Sequence, residues 1–442
     1  MNMNRSEPPV SRWPGLRLIG QVPGGSRSEV WRGDIDGFAV AVRRSRRSAV
    51  SLAWELDLMS VLRGEGFRVP DVFATGSGER HVDGWCVQTW VAGESPSTRR
   101  EWLAVAEELH RLHFLLRLHP QRPGCVTINE LTRAGSSVDA DLSEIPDEVI
   151  EACVAHFEPH LEGQVSLIHG DPGADNIRIL EDGSVAFIDW DEARLDVAEL
   201  DFANLGVDLL SGARRRCGTA LAHAWEALNC WELEPDYAQG RFEQLGSIEH
   251  PSSWPELTDG VVTLRPRTTD EAVAQRAGED QEIVDWLTGG FASLERMEQH
   301  IDICARVWAV SGLRRSFGVY VDDVMVGNVE LNFADMDLGF DEVNVSYATF
   351  APARRKGYAA RALTLITDYS LEVEPGTIPT LKIDSRNAAS IGVARTAGFE
   401  KIRDIVRPDR TYEARHRLSD RRIGEIGTRP DDGLTSSGGE GQ

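Results

Sequence analysis

The sequence predicts an α+β fold with at least two domains, and three observations support this prediction. The chain has 442 residues, enough for two or three domains of about 150 residues each. Short strand-like segments with alternating apolar residues are interspersed with amphipathic helical patterns. A segment rich in Pro, Ser and Gly at residues 246–260 separates two such series, and we expect it to be a linker.

The first domain is expected over residues 16–245, after a polar and flexible N-terminus at 1–15. Within 16–43, two alternating segments flank a Gly/Ser turn and a third follows them, which favours a twisted antiparallel sheet. Apolar residues at helical spacing then predict a helix over 48–63, and this first lobe should end near residue 92. A second, mainly helical lobe at 93–245 is predicted from helical patterns at 101–119, 147–161 and 197–230.

The second domain is expected over residues 261–412. Two helical patterns come first, and a hairpin that turns at Asp322 and Asp323 follows them. A strand, a helix, a strand and a final helix complete the pattern. Residues 413–442 are rich in Gly, Ser and Asp, and we expect them to form a disordered tail.

The net charge of −24 is concentrated in one part of the chain. Residues 101–259 carry 10 Arg against 31 Asp and Glu, a balance of −21. This acidity argues against nucleic-acid and anionic-membrane partners, because both require a basic face on the protein. It suits a small cationic substrate, although a need for solubility would account for the same pattern.

Three further features bear on the compartment. No run of about 18 apolar residues indicates a transmembrane helix, and the N-terminal residues lack the apolar segment of a signal peptide. The six cysteines are scattered and form no CxxC pair, so their spacing gives no disulfide framework and no metal site. We therefore expect a cytoplasmic protein.

A first group of polar residues suits phosphoryl transfer. Asp171 follows His169 in the segment HGD, Asn176 comes five residues later, and Asp189 stands in IDW after a strand-like segment. Asp171 has the chemistry of a catalytic base for the attacking hydroxyl, and Asn176 and Asp189 offer oxygen ligands for Mg²⁺. This order is that of a protein-kinase catalytic loop. The simpler alternative is a set of polar residues that cap loops.

The composite HGDxxxxN…IDW closely resembles the aminoglycoside phosphotransferase family, and the resemblance covers residues 16 to about 245. It implies a two-lobed protein-kinase-like fold that uses Mg²⁺ and ATP or GTP, with structural roles for Asp196 and Asp201. It assigns nucleotide contacts to a Gly/Ser loop and to a strand–helix ion pair: Gly24, Gly25, Ser26, Arg43 and Glu55. The kinase fold normally has a lysine where Arg43 stands.

The acceptor is less closely specified. The family that the first domain resembles includes kinases of aminoglycosides, macrolides, choline, homoserine and other small alcohols. The acidic block at 101–259 coincides with the lobe that should bind the acceptor, and such a surface steers and holds a polycation. We therefore expect a cationic, hydroxylated, aminoglycoside-like acceptor.

A second group of residues suits acyl-CoA binding. The segment RRKGYA at 354–359 stands between a strand and an amphipathic helix, where a glycine turn and free backbone N–H groups favour an anion. Asn387 and Ser390 open the next helix, ahead of a Gly-Phe turn. The alternative is that RRKGYA is simply a basic helix start.

This second pattern strongly resembles the GCN5-related N-acetyltransferase (GNAT) family, and the resemblance covers about 260–410. It implies an α/β domain with a central mixed sheet. It assigns acetyl-CoA contacts to six residues: Arg354, Arg355, Gly357, Ala359, Asn387 and Ser390. Many relatives carry a tyrosine shortly after the N-x-x-S segment as general acid, and this sequence has none there.

Acetyl transfer would then proceed by direct attack of a neutral amine on the thioester. Glu330 is the candidate catalytic base and Glu342 is the alternative, although either carboxylate also fits a solvated strand edge. The two groups together predict a bifunctional enzyme that phosphorylates and N-acetylates small cationic compounds, as in antibiotic resistance. The alternatives are a choline- or homoserine-type kinase fused to a protein N-terminal acetyltransferase, and a ligand sensor without turnover.

Overall fold

The computed structural model describes residues 7–22, 29–138, 140–157, 165–203, 205, 212–232, 234–247, 255–309, 313–335, 337–339, 341–406 and 412–419. The chain divides into two compact units. The first unit comprises Met1–Leu209 and Arg215–Ile248, and the second comprises Leu210–Arg214 and Glu249–Gln442.

The first unit begins with six strands and one long helix. Their bounds are β1 (Leu16–Gln21), β2 (Glu29–Ile35), β3 (Phe38–Arg44), α1 (Ala49–Gly64), β4 (Val72–Phe73), β5 (His81–Val82) and β6 (Trp85–Thr89). The strands form one antiparallel sheet in the order β1–β2–β3–β6–β4, and β5 pairs with β6. The antiparallel sheet predicted near the start of the chain is therefore present.

Local sequence explains how this sheet and helix are held. Ser48 caps α1 by accepting a hydrogen bond from the backbone N–H of Ser51, as serine does at helix N-termini. One face of α1 buries Leu52 and Leu56. Trp13 is only 2% exposed and packs into the core of the sheet, so the segment expected to be flexible at 1–15 contributes to the core through this residue.

The next elements combine helices with two short antiparallel strand pairs. Their bounds are α2 (Arg99–Leu115), α3 (Ile128–Ala134), α4 (Asp147–Phe157), β7 (Val165–Ile168), β8 (Ile177–Ile179), β9 (Val185–Phe187), β10 (Arg194–Val197), α5 (Glu199–Phe202), α6 (Gly212–Cys230) and α7 (Pro235–Gly246). β7 pairs with β10, and β8 pairs with β9. These two pairs hold the polar loops in which the predicted phosphoryl-transfer residues lie.

The second unit is built on an eight-stranded sheet. Its elements are β11 (Leu257–Thr258), β12 (Thr263–Pro266), α8 (Ala272–Gly278), α9 (Gln281–Ile283), α10 (Leu294–Ala309), β13 (Arg314–Val321), β14 (Val324–Asn332), β15 (Glu342–Thr349), α11 (Tyr358–Val373), β16 (Ile378–Asp384), α12 (Ala388–Thr396), β17 (Phe399–Val406) and β18 (Tyr412–Leu418). The strand order is β11–β12–β13–β14–β15–β16–β18–β17. Among the described strands of this sheet, the β15–β16 pair is parallel and the other pairs are antiparallel, so the predicted mixed sheet is confirmed.

The parallel pair opens a cleft in this sheet. Pairing between β15 and β16 covers three residue pairs, from Glu342 opposite Ile378 to Asn344 opposite Thr380. Beyond these pairs the two strands continue without pairing to each other. The crossover between them is α11, as a parallel connection requires. The segments of β15 and β16 that do not pair with each other line the first of the cavities described below.

The structure differs from the expected domain limits in two places. β11 lies inside the segment expected to be a linker at 246–260. β18 extends past residue 412, where the second domain was expected to end, and inserts between β16 and β17. Residues 420–442 of the expected tail lie outside the described residues. Within the described ranges, no helix combines the length and apolar character needed to cross a bilayer.

Candidate phosphoryl-transfer and acyl-CoA sites

The β8–β9 hairpin brings Asn176 and Asp189 together. Ile177 pairs with Phe187 in this hairpin, and one step further the backbone N–H of Ile188 donates a 2.9 Å hydrogen bond to the carbonyl of Asn176. Asp189 follows directly in the left-handed conformation, with φ of 59°. Its side chain is 38% exposed. The two predicted metal ligands therefore stand at the same end of one hairpin.

Asn176 also fixes the predicted catalytic base. Its amide nitrogen donates hydrogen bonds of 2.8 Å to Oδ2 of Asp171 and 2.9 Å to the backbone carbonyl of Asp171. Both N–H groups of the amide are used in these bonds, and they orient the carboxylate of Asp171. The amide oxygen of Asn176 can still bind a metal ion. Asp171, Asn176 and Asp189 thus form one connected group.

Arg43 joins this group from the sheet. Its guanidinium, 4% exposed, donates from Nη1 to Oδ1 of Asp189 at 2.7 Å and pairs through Nη2 with Oε1 of Glu55. Burial opposes the charge on Arg43, but Glu55 and Asp189 raise its pKa well above the ordinary value, so Arg43 stays charged. The strand–helix ion pair that the resemblance implied is present, with arginine in it.

Arg122 is a buried residue that sequence reasoning missed. It donates from Nη2 to Oε2 of Glu55 at 2.9 Å and from Nε to Oγ of Ser51 at 2.7 Å. Its Nη1 atom donates to the carbonyls of Trp190 and Asp191 at 3.0 and 2.8 Å. One side chain therefore links α1 to the turn that follows Asp189.

The residues around the HGD segment hold its backbone. Both carboxylate oxygens of Asp201 accept backbone N–H groups at 2.8 Å, one from His169 and one from Gly170. His113 contacts the same carboxylate through Nε2 at 2.8 Å. Burial alone would raise the pKa of Asp201, but these hydrogen bonds hold it below its ordinary value. His169 in turn lies 3.0 Å from the carbonyl of Ile188 through Nε2.

Asp196, like Asp201, is a carboxylate that accepts hydrogen bonds from neighbouring groups and fixes their position. Its Oδ1 accepts the backbone N–H of Ile128 at 3.0 Å, and its Oδ2 accepts Nε of Arg194 at 2.9 Å. Gly24, Gly25 and Ser26 lie outside the described residues, so their assignment to the nucleotide stays a prediction.

Two neighbouring cavities in the second unit have volumes of about 610 and 640 Å³. The first lies where β15 and β16 no longer pair with each other, and the second lies at the loop before α11. They share part of their walls: Trp286, Leu287, Tyr347, Asn387 and Ser390. Arg354, Arg355, Gly357 and Ala359 line the second cavity. All six residues assigned to acetyl-CoA therefore line this second cavity.

The loop before α11 has the expected glycine. Gly357 adopts φ of 81° and precedes the first turn of α11, a conformation that glycine accepts readily. Arg354, in contrast, is already engaged: its guanidinium forms two hydrogen bonds to Asp280, at 2.7 and 2.8 Å, and one of 2.7 Å to Glu282. In this structure Arg354 therefore fixes the loop to the α9 segment.

Tyr347 is a second residue that sequence reasoning missed. Its hydroxyl lies 2.7 Å from Oγ of Ser390 and donates to the Ser390 carbonyl at 3.2 Å. Asn387 caps α12 by accepting the backbone N–H of Ser390 at 2.9 Å. Burial raises the pKa of Tyr347 to about 12, which keeps its proton in place at neutral pH.

The two candidate bases do not line either of these cavities. Glu330 faces Arg314, Arg267, His300 and Cys304. Glu342 accepts hydrogen bonds from the backbone of Gly339 and from Thr380 and Arg417. The role of either carboxylate as a base stays a prediction.

Comparison with known proteins identifies both regions. A sequence model described as the phosphotransferase enzyme family matches residues 19–242, just over half of the chain. The chain belongs to the phosphotransferase enzyme family. A model of the acetyltransferase (GNAT) domain matches residues 262–400, so the phosphotransferase region is followed by a GNAT domain.

One curated relative and several solved structures are similar to parts of this phosphotransferase-family chain. A "probable ketoamine kinase" of Staphylococcus aureus is 27% identical over 201 residues, which cover 39% of this chain and 68% of that protein. An acetyltransferase of the GNAT family from Bacillus anthracis has 13% identity and a TM-score of 0.32, and it covers 37% of this chain and 98% of its own. Mycobacterium smegmatis RimJ in complex with CoA-disulfide has 19% identity and a TM-score of 0.33, and it covers 40% and 95%.

Proposed function

We propose that this chain is a bifunctional transferase that phosphorylates a hydroxyl of a small cationic acceptor and N-acetylates an amine from acetyl-CoA. The observation that carries the first activity is the connected group of Asp171, Asn176 and Asp189, with Arg43 bonded to Asp189. It combines a candidate base, oxygen ligands and a fixed positive charge, which are the parts that phosphoryl transfer requires.

In the proposed phosphoryl transfer, Asp171 accepts the proton of the acceptor hydroxyl. The hydroxyl oxygen forms a bond to the γ-phosphorus of ATP or GTP, and the bond to the bridging oxygen breaks to release the nucleoside diphosphate. Asn176 keeps the carboxylate of Asp171 directed towards the acceptor through its 2.8 Å hydrogen bond. Arg43 supplies positive charge beside Asp189, where charge on the phosphates would accumulate.

The residues at the end of the β8–β9 hairpin fit a magnesium ion. The carboxylate of Asp189 and the amide oxygen of Asn176 are hard oxygen donors, the type that Mg²⁺ prefers. When bound, Mg²⁺ would neutralise phosphate charge during transfer. Asp189 would hold the ion while its other contact, to Arg43, fixes the carboxylate.

The acceptor that we propose is an amine with free hydroxyl groups. The charge of the block at 101–259 supports a cation, and an aminoglycoside has the required chemistry. A ketoamine is the second candidate, because the curated relative carries the name of a ketoamine kinase. Both classes join a protonated amine to sugar hydroxyls, so both are compatible with an acidic acceptor surface.

An acceptor panel tests this proposal. The protein would be incubated with Mg²⁺, ATP and GTP in a series of reactions, each containing one acceptor. The acceptors would be an aminoglycoside, a fructosyl-lysine ketoamine, choline, homoserine and a neutral polyol. Mass spectrometry would detect the gain of one phosphoryl group. We expect gain on the aminoglycoside or the ketoamine; phosphorylation of only the neutral polyol would contradict the proposed acceptor class.

The second proposed activity rests on the two cavities of the GNAT domain. The loop at 354–357 and the first turn of α11 would hold the pyrophosphate of acetyl-CoA, and the cleft between β15 and β16 would receive the thioester and the amine. The neutral amine attacks the thioester carbon, a C–N bond forms, and the C–S bond breaks to release coenzyme A. We expect the proton of the amine to leave through water, because Glu330 does not line either cavity.

A further inference from the structure

Three side chains in the GNAT domain carry ligand atoms of three kinds at one place. His300 and Cys304 stand one turn apart on α10, and Glu330 lies on β14 beneath them. Nε2 of His300 lies 3.6 Å from Sγ of Cys304. Oε2 of Glu330 lies 3.8 Å from Nε2 of His300 and 3.9 Å from Sγ of Cys304.

These separations are a few tenths of an ångström longer than those between the ligands of a bound transition-metal ion. Ligand atoms held by one tetrahedral Zn²⁺ at about 2.0–2.3 Å lie roughly 3.3–3.6 Å apart. The three atoms all lie within 4.8 Å of one another, so small side-chain rotations would place them on one ion. A hydrogen bond between His300 and Cys304 on one helix would not by itself explain why a carboxylate from a strand, Glu330, approaches both atoms at a similar distance.

We propose that His300, Cys304 and Glu330 form a binding site for Zn²⁺ or a chemically similar transition-metal ion. An imidazole, a thiolate and a carboxylate are an established type of zinc ligand set, and the thiolate favours such ions over Mg²⁺. On binding, the ion forms bonds to sulfur, nitrogen and oxygen, and the Cys304 thiol releases its proton to solvent. His300 is 36% exposed at its side chain, so a water molecule has access to a fourth position.

Two arginines already face the carboxylate of Glu330, and the proposed ion would compete with their charge. Arg314 faces the other carboxylate oxygen of Glu330, with Nε 3.5 Å from Oε1. Arg267 lies 3.8 Å from Oε2; its hydrogen bonds to Ser316 and Gln275 fix the guanidinium but leave its charge, so a bound ion would share Oε2 with this arginine. The carboxylate therefore presents Oε2 to the proposed ion while Arg314 holds Oε1.

The site would have two consequences. It would fix α10 against β14 through coordination bonds. It would also occupy Glu330, so that this carboxylate would not serve as a base for acetyl transfer while an ion is bound. The proposal rests on the cluster alone and does not depend on the proposed acceptor or on either activity.

Cobalt binding tests the site on the full-length protein. After treatment with a chelator, the protein would be titrated with Co²⁺ and followed by the charge-transfer absorption of a cobalt–thiolate bond in the near ultraviolet. We expect one equivalent per chain, and we expect Zn²⁺ to abolish the absorption by displacing Co²⁺. Absence of the thiolate absorption at excess Co²⁺ would overturn the proposal.

Three variants make the result specific to these residues. Cys304→Ser should abolish the thiolate absorption. His300→Gln changes a partly exposed residue, so the variant should still fold. Its affinity for cobalt should fall at least about tenfold. Cys153→Ser is the control, since Cys153 is likewise a buried cysteine but lies in α4. An absorption that persists in Cys304→Ser, an unchanged cobalt affinity in His300→Gln, or a loss of the absorption in Cys153→Ser would each contradict the assignment.

Discussion

Arg122 donates a 2.9 Å hydrogen bond to Glu55, and both side chains are buried. Glu55 also pairs with Arg43, so its two carboxylate oxygens serve two arginines. The same guanidinium of Arg122 holds carbonyl groups in the turn that follows Asp189. Glu55 and Arg122 together therefore connect α1 to the segment that positions Asp189.

The first prediction concerns this buried connection. Arg122→Gln should lower the free energy of unfolding of the first unit by about 3–5 kcal/mol. Glu55 would keep only Arg43 as a charged partner, and the buried acceptors that Arg122 serves would lose a donor. Urea unfolding would measure the loss, and hydrogen exchange of peptides from α1 would assign it to this unit. Arg80→Gln breaks the more exposed Arg80–Asp57 pair and should cost less than about 1 kcal/mol. Equal losses in the two variants would contradict the prediction.

The second prediction concerns the backbone of the HGD loop. Gly170 has φ of 88°, and a Cβ there would collide with the carbonyl of Glu192. Gly170→Ala should therefore displace the loop and greatly reduce phosphoryl transfer. Gly173→Ala is the matched control, because Gly173 has an ordinary φ of −67° and its Cβ would meet its nearest neighbour, Asp171, at 3.6 Å. Steady-state kinetics should separate the two variants, and similar activities would contradict this account.

The third prediction separates the two activities. Asp171→Asn keeps the size of the side chain but removes the proposed base, so phosphoryl transfer should fall by at least about 100-fold. Acetyl transfer should be unchanged, because the acyl-CoA cavities are lined by residues of the second unit. Parallel assays on the same preparation would measure both rates. A loss of both activities in a folded protein would argue against independent active sites.

The fourth prediction concerns the acyl-CoA loop. Arg354→Ala removes the contacts to Asp280 and Glu282 that fix this loop, so the KM for acetyl-CoA should rise about tenfold, the size expected for hydrogen bonds to charged groups. Arg361→Ala is the control, since Arg361 pairs with Asp259 from the second turn of α11. Acetyl-CoA titrations of both variants would test this. An unchanged KM in Arg354→Ala would exclude a role for the loop anchor.

Much of the fold and part of each site follow from local sequence. The hairpin at Asp322 and Asp323, the Gly357 turn and the HGD segment carry their information within a few residues. Sequence order was also sufficient to group Asp171, Asn176 and Asp189, because one hairpin brings the last two together. These features depend on short-range patterns that a single sequence displays.

Other features depend on contacts between distant parts of the chain. Arg122 meets partners 67 to 71 residues away, and no motif marks it. Tyr347 reaches Ser390 from β15, 43 residues earlier, whereas the tyrosine that many GNAT relatives carry would follow Ser390. Cys304 has no CxxC partner, so the cysteine spacing did not indicate a metal site. His300 and Glu330 come close to it because α10 packs against the sheet that contains β14.

The most direct test of the central claim is a reaction that contains both donor substrates. Wild-type protein and the Asp171→Asn variant would be incubated with an aminoglycoside and a ketoamine, Mg²⁺, ATP, GTP and acetyl-CoA, and the products would be weighed by mass spectrometry. We predict phosphoryl and acetyl gains with the wild type and only the acetyl gain with the variant. The account would be contradicted if wild-type protein that binds nucleotide and acetyl-CoA produced neither the phosphoryl nor the acetyl gain. That result would favour a ligand sensor.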